Sequence, residues 1–283
     1  MEACDADPRS LGEPSRDQLP ELSGRHLGTR SGRRAASPRR SELVQPGGPA
    51  PGVEVNVRSV PDAEWLAGAA AERVASAIEA SEGPFDLVLS GGSTPKKLHT
   101  RLIERDKLDW SKVRIWFGDE RHVPLDHPES NYRMAQETLL SKIKPLAVFP
   151  MFRGGSPEED AAAYEADLIR ELGDKPLDLV LLGMGADAHT ASLFPGEPSV
   201  RVTDRQVVAS TGHAGIRERI TMTFPRLHRS KETLLLIAGA DKKDALKRAL
   251  RQPYDPDAMP VQAILNGPSD VTLYVDSAAD PGA

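Results

Sequence analysis

Hydrophobic residues along this chain occur in short runs, and polar stretches with helical spacing separate most of them. Apolar runs of four to eight residues bounded by glycine or proline are typical of strands buried on both faces, whereas apolar positions three or four apart are typical of helices. This pattern predicts strands at 53–57, 85–89, 113–117, 149–153, 177–182, 206–210, 219–223, 234–238 and 271–275. It predicts helices at 62–80, 96–105, 157–172 and 242–251, and another within 118–143.

The order of these elements indicates an α/β fold. Strands that alternate with helices form a mainly parallel sheet with right-handed crossovers, so we expect a Rossmann-like sheet flanked by helices. Beyond Phe194 the predicted strands follow one another with less helix between them, which predicts a smaller mixed β region in the C-terminal third. We expect these elements to form one domain over residues 53–283.

Residues 1–52 differ in composition from the remainder of the chain. They are rich in Pro, Gly, Ser and Arg and contain no Lys, no aromatic residue and no periodic apolar pattern. Such a segment buries too little surface to offset the entropy of ordering it. We therefore expect a disordered extension, and it lacks the apolar centre of a signal peptide. A basic docking arm built on Arg33–Arg34 and Arg39–Arg40 is the alternative.

Composition narrows the classes of function. The 283 residues are 39% hydrophobic with a net charge of −6, which suits a soluble globular protein and gives no sign of a nucleic-acid-binding face. No run approaches the ~18 apolar residues of a membrane helix. Cys4 is the single cysteine, which excludes an intramolecular disulfide and fits a reducing compartment, so we expect a cytoplasmic protein.

A glycine-rich loop, SGGSTP at 90–95, follows the predicted strand at 85–89. Its two glycines permit a tight turn and a close approach to a ligand. Ser93 or Thr94 is expected to cap the next helix, and Pro95 suits the first turn. Free N–H groups at such a helix start attract anions. The motif is neither a Walker loop nor GxGxxG, so it predicts an anion site but no nucleotide. A plain strand-to-helix turn is the alternative.

Charged residues follow two further predicted strands, at what should be the same edge of the sheet. Asp119 and Arg121 come after the strand at 113–117, and Asp187 and His189 come after the strand at 177–182. Ligands of open α/β sheets bind beyond the carboxyl ends of the strands. Arginine can hold an anion or a developing oxyanion, and histidine can take and return a proton near neutral pH. Surface ion pairs and a capped loop are the alternatives, but the recurrence of polar loops at one edge favours a site.

Several motifs follow one another along the chain: SGGSTP at 90–95, GDERHVP at 118–124 with SNYRMA at 130–135, LLGMGADAHTASLFPG at 181–196, RITMT at 219–223 and GADK at 239–242. In this order they make the chain resemble the 6-phosphogluconolactonases, hydrolases of the oxidative pentose phosphate pathway. That family is similar in fold to the glucosamine-6-phosphate deaminases and isomerases. The resemblance covers about 53–275. The chain departs from the family at Ala188, where the family usually has glycine, and at 213–217, where HAGIR replaces a common Lys-Pro-Pro run.

The resemblance implies carbohydrate metabolism, by hydrolysis of 6-phospho-D-glucono-1,5-lactone to 6-phospho-D-gluconate. Lactone hydrolysis needs an activated water, a stabilised oxyanion and a proton for the ring oxygen. We expect His189 to move the proton and Asp187 to orient or charge-stabilise its imidazole. We expect Arg121 to polarise the carbonyl or to bind hydroxyls, with Asp119 holding Arg121 or the sugar. The residues implied to bind the sugar phosphate are Gly91, Gly92, Ser93, Thr94, Arg219 and Lys242.

Several alternatives stay open at this point. An amino-sugar-phosphate isomerase or deaminase would use the same phosphate loop, and a non-catalytic sugar-phosphate sensor would need the loop but not the Asp-His pair. A nucleophilic Ser192 lacks a GxSxG elbow, and a metal hydrolase built on His122, His127 and Asp187 matches no standard ligand spacing. We expect no cofactor, no metal, no nucleic acid and no membrane partner, and we favour a monomer that binds a small-molecule lactone.

Overall fold

The computed structural model describes Gly24–Arg25, residues 55–105 and residues 107–282. The strands of this part of the chain form two sheets. The strands are β1 (Gly24–Arg25), β2 (Asn56–Val60), β3 (Phe85–Leu89), β4 (Val113–Phe117), β5 (Asp119–Arg121), β6 (Ala147–Val148), β7 (Leu177–Leu182), β8 (Val207–Thr211), β9 (Glu218–Met222), β10 (Ser230–Ile237) and β11 (Asp270–Asp276). The α-helices are α1 (Ala63–Ala80), α2 (Ser93–Ile103), α3 (Asn131–Thr138), α4 (Pro157–Leu172), α5 (Phe224–Leu227), α6 (Lys243–Arg251) and α7 (Val261–Leu265).

The larger sheet confirms the predicted fold class. Its order is β1-β2-β11-β10-β7-β3-β4-β6, and every neighbouring pair is parallel except β1 with β2. The smaller sheet, β5-β9-β8, is antiparallel throughout. The predicted C-terminal β region is therefore present, although it takes β5 from the middle of the chain.

β7 lies inside the larger sheet, between β10 and β3. The run Leu179–Leu182 is fully buried, as expected for a strand covered on both faces. These side chains join the apolar sides of the helices in one continuous core. The carboxyl ends of β3, β7 and β10 consequently reach the same edge, and this arrangement positions the polar loops that follow them.

Local signals determine where two of the helices begin. Asp62 caps α1 by accepting hydrogen bonds from the backbone N–H groups of Glu64 and Trp65, at 2.9 and 3.0 Å. α4 starts with a capping box in which Ser156 and Glu159 satisfy each other's backbone N–H groups. α4 also supports the smaller sheet, because the carboxylate of Glu165 accepts the backbone N–H of Gln206 just before β8.

The strand predicted at 149–153 is wrong. β6 is shorter and earlier, and it pairs with β4 for only two residues at the edge of the described sheet. Pro150 has no N–H with which to extend the ladder. The ring of Phe149 instead stacks on Trp116, with ring centroids 3.9 Å apart.

The start of α2 also differs from the prediction. α2 begins at Ser93, before the predicted range 96–105, and Gly92 occupies its cap position with φ of 107°. No side chain caps this helix, so the cap predicted at Ser93 or Thr94 is wrong. Both residues lie in the first turn together with Pro95, which is where that proline was expected.

Other differences between the predicted and observed elements are smaller. β2 runs to Val60 instead of ending at residue 57, because it follows β11 in parallel register up to Asp276. β5, α5 and α7 were absent from the predicted elements and have only three to five residues each.

The extension predicted for residues 1–52 lies outside the described residues, apart from Gly24–Arg25. These two residues pair with Arg58 and Val57 in β2. The domain boundary at Gly52 therefore stays a prediction. Within the described ranges, the structure contains no helix with the length and hydrophobicity needed to span a membrane.

Candidate active site

A cavity of about 560 Å³ opens where the carboxyl ends of β3, β7 and β10 meet the smaller sheet. Its walls include all ten residues that the sequence proposes for the site. These are Gly91, Gly92, Ser93, Thr94, Asp119, Arg121, Asp187, His189, Arg219 and Lys242. The topology therefore brings together five segments that are far apart in the sequence.

Asp187 and His189 form a hydrogen-bonded pair at the end of β7. Nδ1 of His189 lies 2.5 Å from Oδ1 of Asp187. A carboxylate only accepts hydrogen bonds, so Nδ1 carries the proton and Nε2 keeps its lone pair. Burial by itself would raise the pKa of Asp187, but the hydrogen bond and the charge of His189 outweigh it and lower that pKa to about 2. The carboxylate is therefore charged throughout the neutral range.

The loop that carries this pair is folded tightly on itself. The backbone N–H of Gly185 donates to the carbonyl of His189 at 2.9 Å. A Cβ on Gly185 would lie 2.1 Å from Nδ1 of His189, so only glycine fits there. Ala188 is buried with φ of 69°. The left-handed conformation that suits glycine is thus kept here with an alanine.

Two arginines lie opposite each other on the floor of the cavity. Arg121 of β5 and Arg219 of β9 are paired in register. Their guanidinium groups donate to backbone carbonyls, that of Arg121 to Glu129 at 2.5 Å and that of Arg219 to Ile216 at 2.7 Å. Burial and the charge of Arg121 lower the pKa of Arg219. Like charges at facing positions repel, so an anion or a developing oxyanion would relieve a repulsion that already exists.

Asp119 does not hold Arg121. Its carboxylate accepts a hydrogen bond from the hydroxyl of Ser192 at 2.6 Å, and Asn131 donates to its backbone carbonyl at 2.9 Å. Ser192 is fully buried in this contact. A serine nucleophile needs an adjacent base such as an imidazole, and the hydroxyl of Ser192 is bonded to a carboxylate instead.

Glu120 fixes the neighbouring loop from below. Its buried carboxylate accepts hydrogen bonds from the backbone N–H groups of Arg121, Asn131 and Tyr132, at 2.8, 2.6 and 2.8 Å, and from the Ser130 hydroxyl at 3.0 Å. Burial raises the pKa of Glu120 to about 7, although these donors favour the ionised form. The carboxylate joins β5 to the start of α3, and thereby holds the backbone that carries Arg121.

The glycine loop forms the opposite wall. A Cβ on Gly91 would lie 2.1 Å from Oδ1 of Asn131, so the loop can pass this side chain only as glycine. Ser90 is buried at the same wall, and its hydroxyl has no hydrogen-bond partner among the described residues. Lys242 lies across the cavity and pairs with Asp241 at 2.9 Å. A free hydroxyl, helix N–H groups and an ammonium group make this end suitable for a phosphate.

Sequence analysis missed several residues of the cavity wall. Ser90 belongs to a quoted motif but was not assigned a role. Phe194 and His213 also line the cavity, and their rings pack together at 5.0 Å. One feature of the sequence could have indicated His213, because this residue lies in the segment where the chain departs from the family.

The histidines considered for a metal are separated from one another. His122 lies 3.2 Å from Asp160, and His127 accepts the backbone N–H of Glu129 at 3.1 Å. Among the described residues, no three His, Cys, Asp or Glu side chains are grouped so that they could hold a metal ion.

The parallel sheet, the phosphate-suited loop and the Asp-His pair at one edge define the sugar-phosphate isomerase and lactonase class of α/β proteins. The chain belongs to the family described as glucosamine-6-phosphate isomerases/6-phosphogluconolactonase, whose model matches residues 61–273.

Individual relatives share this similarity. The chain is 40% identical over 200 residues to a 6-phosphogluconolactonase of Synechocystis sp., with 68% of this chain and 82% of that protein covered. It is 39% identical over 209 residues to a 6-phosphogluconolactonase of Rhizobium meliloti, with 72% and 88% covered. The structure of a 6-phosphogluconolactonase from Trypanosoma cruzi matches with a TM-score of 0.72 at 30% identity, covering 80% of this chain and 95% of that one.

Proposed function

We propose that this protein is a carboxylic ester hydrolase that opens 6-phospho-D-glucono-1,5-lactone to 6-phospho-D-gluconate. The observation that carries the proposal is the 2.5 Å pair of Asp187 and His189 in a cavity that also contains two arginines and a phosphate-suited loop. The relatives named above are 6-phosphogluconolactonases, which supports the same reaction and its place in the oxidative pentose phosphate pathway.

The proposed chemistry begins at Nε2 of His189. This nitrogen takes a proton from water while the water oxygen attacks the lactone carbonyl carbon. Asp187 stabilises the imidazolium that forms, because its carboxylate accepts the Nδ1 proton. When the bond between the carbonyl carbon and the ring oxygen breaks, the imidazolium returns its proton to that oxygen. The net reaction adds one water and leaves a carboxylic acid, which ionises at neutral pH.

Positive charge supports the step in which the tetrahedral oxyanion forms. Arg121 and Arg219 lie side by side at the cavity, and neither guanidinium is paired with a carboxylate in the described residues. Donors held in place before the reaction cost no reorganisation when charge develops. We assign Arg121 to the carbonyl oxygen. We assign Arg219 to the negative charge of the substrate between the reacting carbon and the phosphate.

The phosphate end of the substrate is assigned to the glycine loop and Lys242. The N–H groups at the start of α2, together with the hydroxyls of Ser93 and Thr94, provide donors, and Lys242 adds a cation. Binding of the non-reacting phosphate then positions the lactone carbonyl near His189. We further propose a cytoplasmic, monomeric enzyme, supported by the single cysteine and by the containment of all assigned groups in one chain.

Hydrolysis of freshly prepared 6-phosphoglucono-δ-lactone by the purified protein tests this proposal. Acid release should exceed the spontaneous rate in proportion to enzyme concentration, and a glucosamine-6-phosphate assay should yield no ammonia. Ammonia release from the amino sugar, with lactone opening at the spontaneous rate, would assign the protein to the isomerase and deaminase branch.

A further inference from the structure

A second imidazole, that of His213, lies at the Asp187–His189 pair. His213 belongs to the connection between β8 and β9, which closes through a hydrogen bond from the N–H of Gly212 to the carbonyl of Arg217, at 2.7 Å. The connection brings the imidazole over the cavity, where it lines the same wall as Asp187 and His189.

Asp187 is shared between the two imidazoles. Its Oδ1 receives His189 at 2.5 Å, while its Oδ2 lies 3.9 Å from Nδ1 of His213. The second distance is too long for a hydrogen bond but short enough for a strong charge interaction. Phe194 packs against both rings, with centroids 4.4 Å from His189 and 5.0 Å from His213. This packing fixes both rings relative to the carboxylate.

Charged and titratable side chains approach His213 from several elements. Glu197 faces its other nitrogen, with Oε1 at 3.5 Å from Nε2. Asp187 and His189 face it from the β7 loop, and Arg219 donates to the carbonyl of Ala214 directly beneath it, at 3.5 Å. Glu129 approaches the same connection beside Gly215. A protonated His213 would therefore lie between two carboxylates, and its charge would act on Asp187 from the side opposite to His189.

We propose that His213 is a positioning residue for the lactone hydrolysis proposed above, and that by sharing Asp187 with His189 it sets how strongly this carboxylate supports a proton on His189. A charge on His213 offsets part of the charge of Asp187, so His189 gives up its proton more readily. The base then stays neutral, and able to accept a proton from water, at more acidic pH.

Two substitutions separate charge from shape. His213→Asn removes the charge and keeps a polar side chain of similar size, whereas His213→Lys keeps a permanent charge. In His213→Asn the acidic limb of the pH profile of kcat/KM should move to higher pH by about 0.3–0.8 units, the size expected for unit charges roughly 4–10 Å apart that are screened as in water. In His213→Lys the limb should stay at the wild-type position or move to lower pH.

Histidine NMR makes the test independent of turnover. The pH at which the His189 imidazole titrates should rise in His213→Asn by the same amount as the kinetic limb. Glu197→Gln serves as a second variant that leaves His213 in place, and it should give a smaller shift in the same direction because it weakens the protonated form of His213. Unchanged titration of His189 in both variants, or equal shifts in His213→Asn and His213→Lys, would overturn the proposal. Loss of the lactonase reaction itself would show in the wild-type protein, so the two failures are distinguishable.

Discussion

At the scale of single residues, the chemistry depends on which nitrogen of His189 carries a proton. The carboxylate of Asp187 accepts from Nδ1 at 2.5 Å, and this leaves Nε2 free to act as the proposed base. Neighbouring Ala188 holds the intervening backbone at φ of 69°, so the two side chains turn back on each other. The pair is therefore a property of three consecutive residues and not of a long-range contact.

Replacing His189 with alanine should remove the base without unfolding the protein. The side chain is part-exposed at the cavity and packs mainly on Phe194. We expect turnover of the phosphorylated lactone to fall on the order of 10²–10⁴-fold, the usual contribution of a positioned acid–base group. Near-wild-type turnover in a variant with unchanged circular dichroism would move the chemistry away from His189.

Asp187 should make the stability of the protein depend on pH in the acidic range. Its pKa in the folded protein, about 2, lies below the ordinary value of 3.8. The stabilisation is therefore complete above about pH 4 and is lost as the pH falls through about 2. The effect should be modest, because 38% of the side chain is exposed to solvent.

Urea unfolding of the wild type and Asp187→Asn at several acidic pH values measures this dependence. The stability difference between the two proteins should shrink as the pH falls from about 5 to about 2, since protonation of the Asp187 carboxylate progressively removes the charge that distinguishes it from asparagine. A difference that stays constant over this range would mean that the carboxylate gains nothing from His189.

At the scale of elements, the site depends on how strands end. β7 and α4 match their predicted ranges, because a bounded apolar run specifies the first and a capping box with Pro157 and Gly173 specifies the second. The helices α5 and α7 were missed because four or five residues carry no measurable periodicity. The pairing of β5 with β9 joins residues about a hundred positions apart, and no local pattern encodes such a pairing.

In the candidate site, too, some features follow from local sequence and others depend on long-range packing. All ten proposed residues line one cavity, because parallel strands direct their following loops to one edge and the smaller sheet adds Arg121 and Arg219 there. The contact of Asp119 with Ser192 and the approach of His213 to Asp187 depend on how the smaller sheet packs against that edge. The sequence could therefore predict which loops meet, but not which side chains pair.

Gly185→Ala should disturb the site without changing any polar group. The new methyl would lie 2.1 Å from Nδ1 of His189 and 2.5 Å from Oδ1 of Asp187. We expect roughly 100-fold lower turnover, because small displacements of reacting groups are costly. Gly183→Ala is the matched control, since its Cβ meets nothing closer than 3.9 Å. Equal activities in the two variants would mean that the loop tolerates movement of the pair.

At the scale of the whole molecule, the proposed catalytic residues and the elements that hold them belong to one folded unit. The residues that line the cavity all lie between Ser90 and Lys242, and the family match spans 61–273. The larger sheet joins them through β3, β7 and β10, while α4 links this sheet to the smaller one through Glu165. The described residues that line the cavity thus all fall within the predicted domain, residues 53–283.

Deleting residues 1–52 should consequently leave the lactone turnover unchanged within error. The melting temperature should also change little, because a segment of this composition has little apolar surface to bury. The contacts described for the deleted range are those of Gly24–Arg25 with β2. A large fall in either quantity would show that the extension packs on the domain, and the boundary at Gly52 would then be wrong.

The central claim is that one cavity binds a sugar phosphate at Lys242 and hydrolyses its lactone at His189. Initial rates with 6-phosphoglucono-δ-lactone and with the unphosphorylated lactone, for the wild type, Lys242→Ala and the neighbouring Lys243→Ala, test this most directly. The account predicts that Lys242→Ala lowers kcat/KM roughly ten- to a hundred-fold for the phosphorylated lactone alone, since a charged hydrogen bond contributes about 1.5–3 kcal/mol. Lys243→Ala should match the wild type with both lactones. Equal losses with both lactones in Lys242→Ala, or no hydrolysis above the spontaneous rate in the wild type, would contradict it.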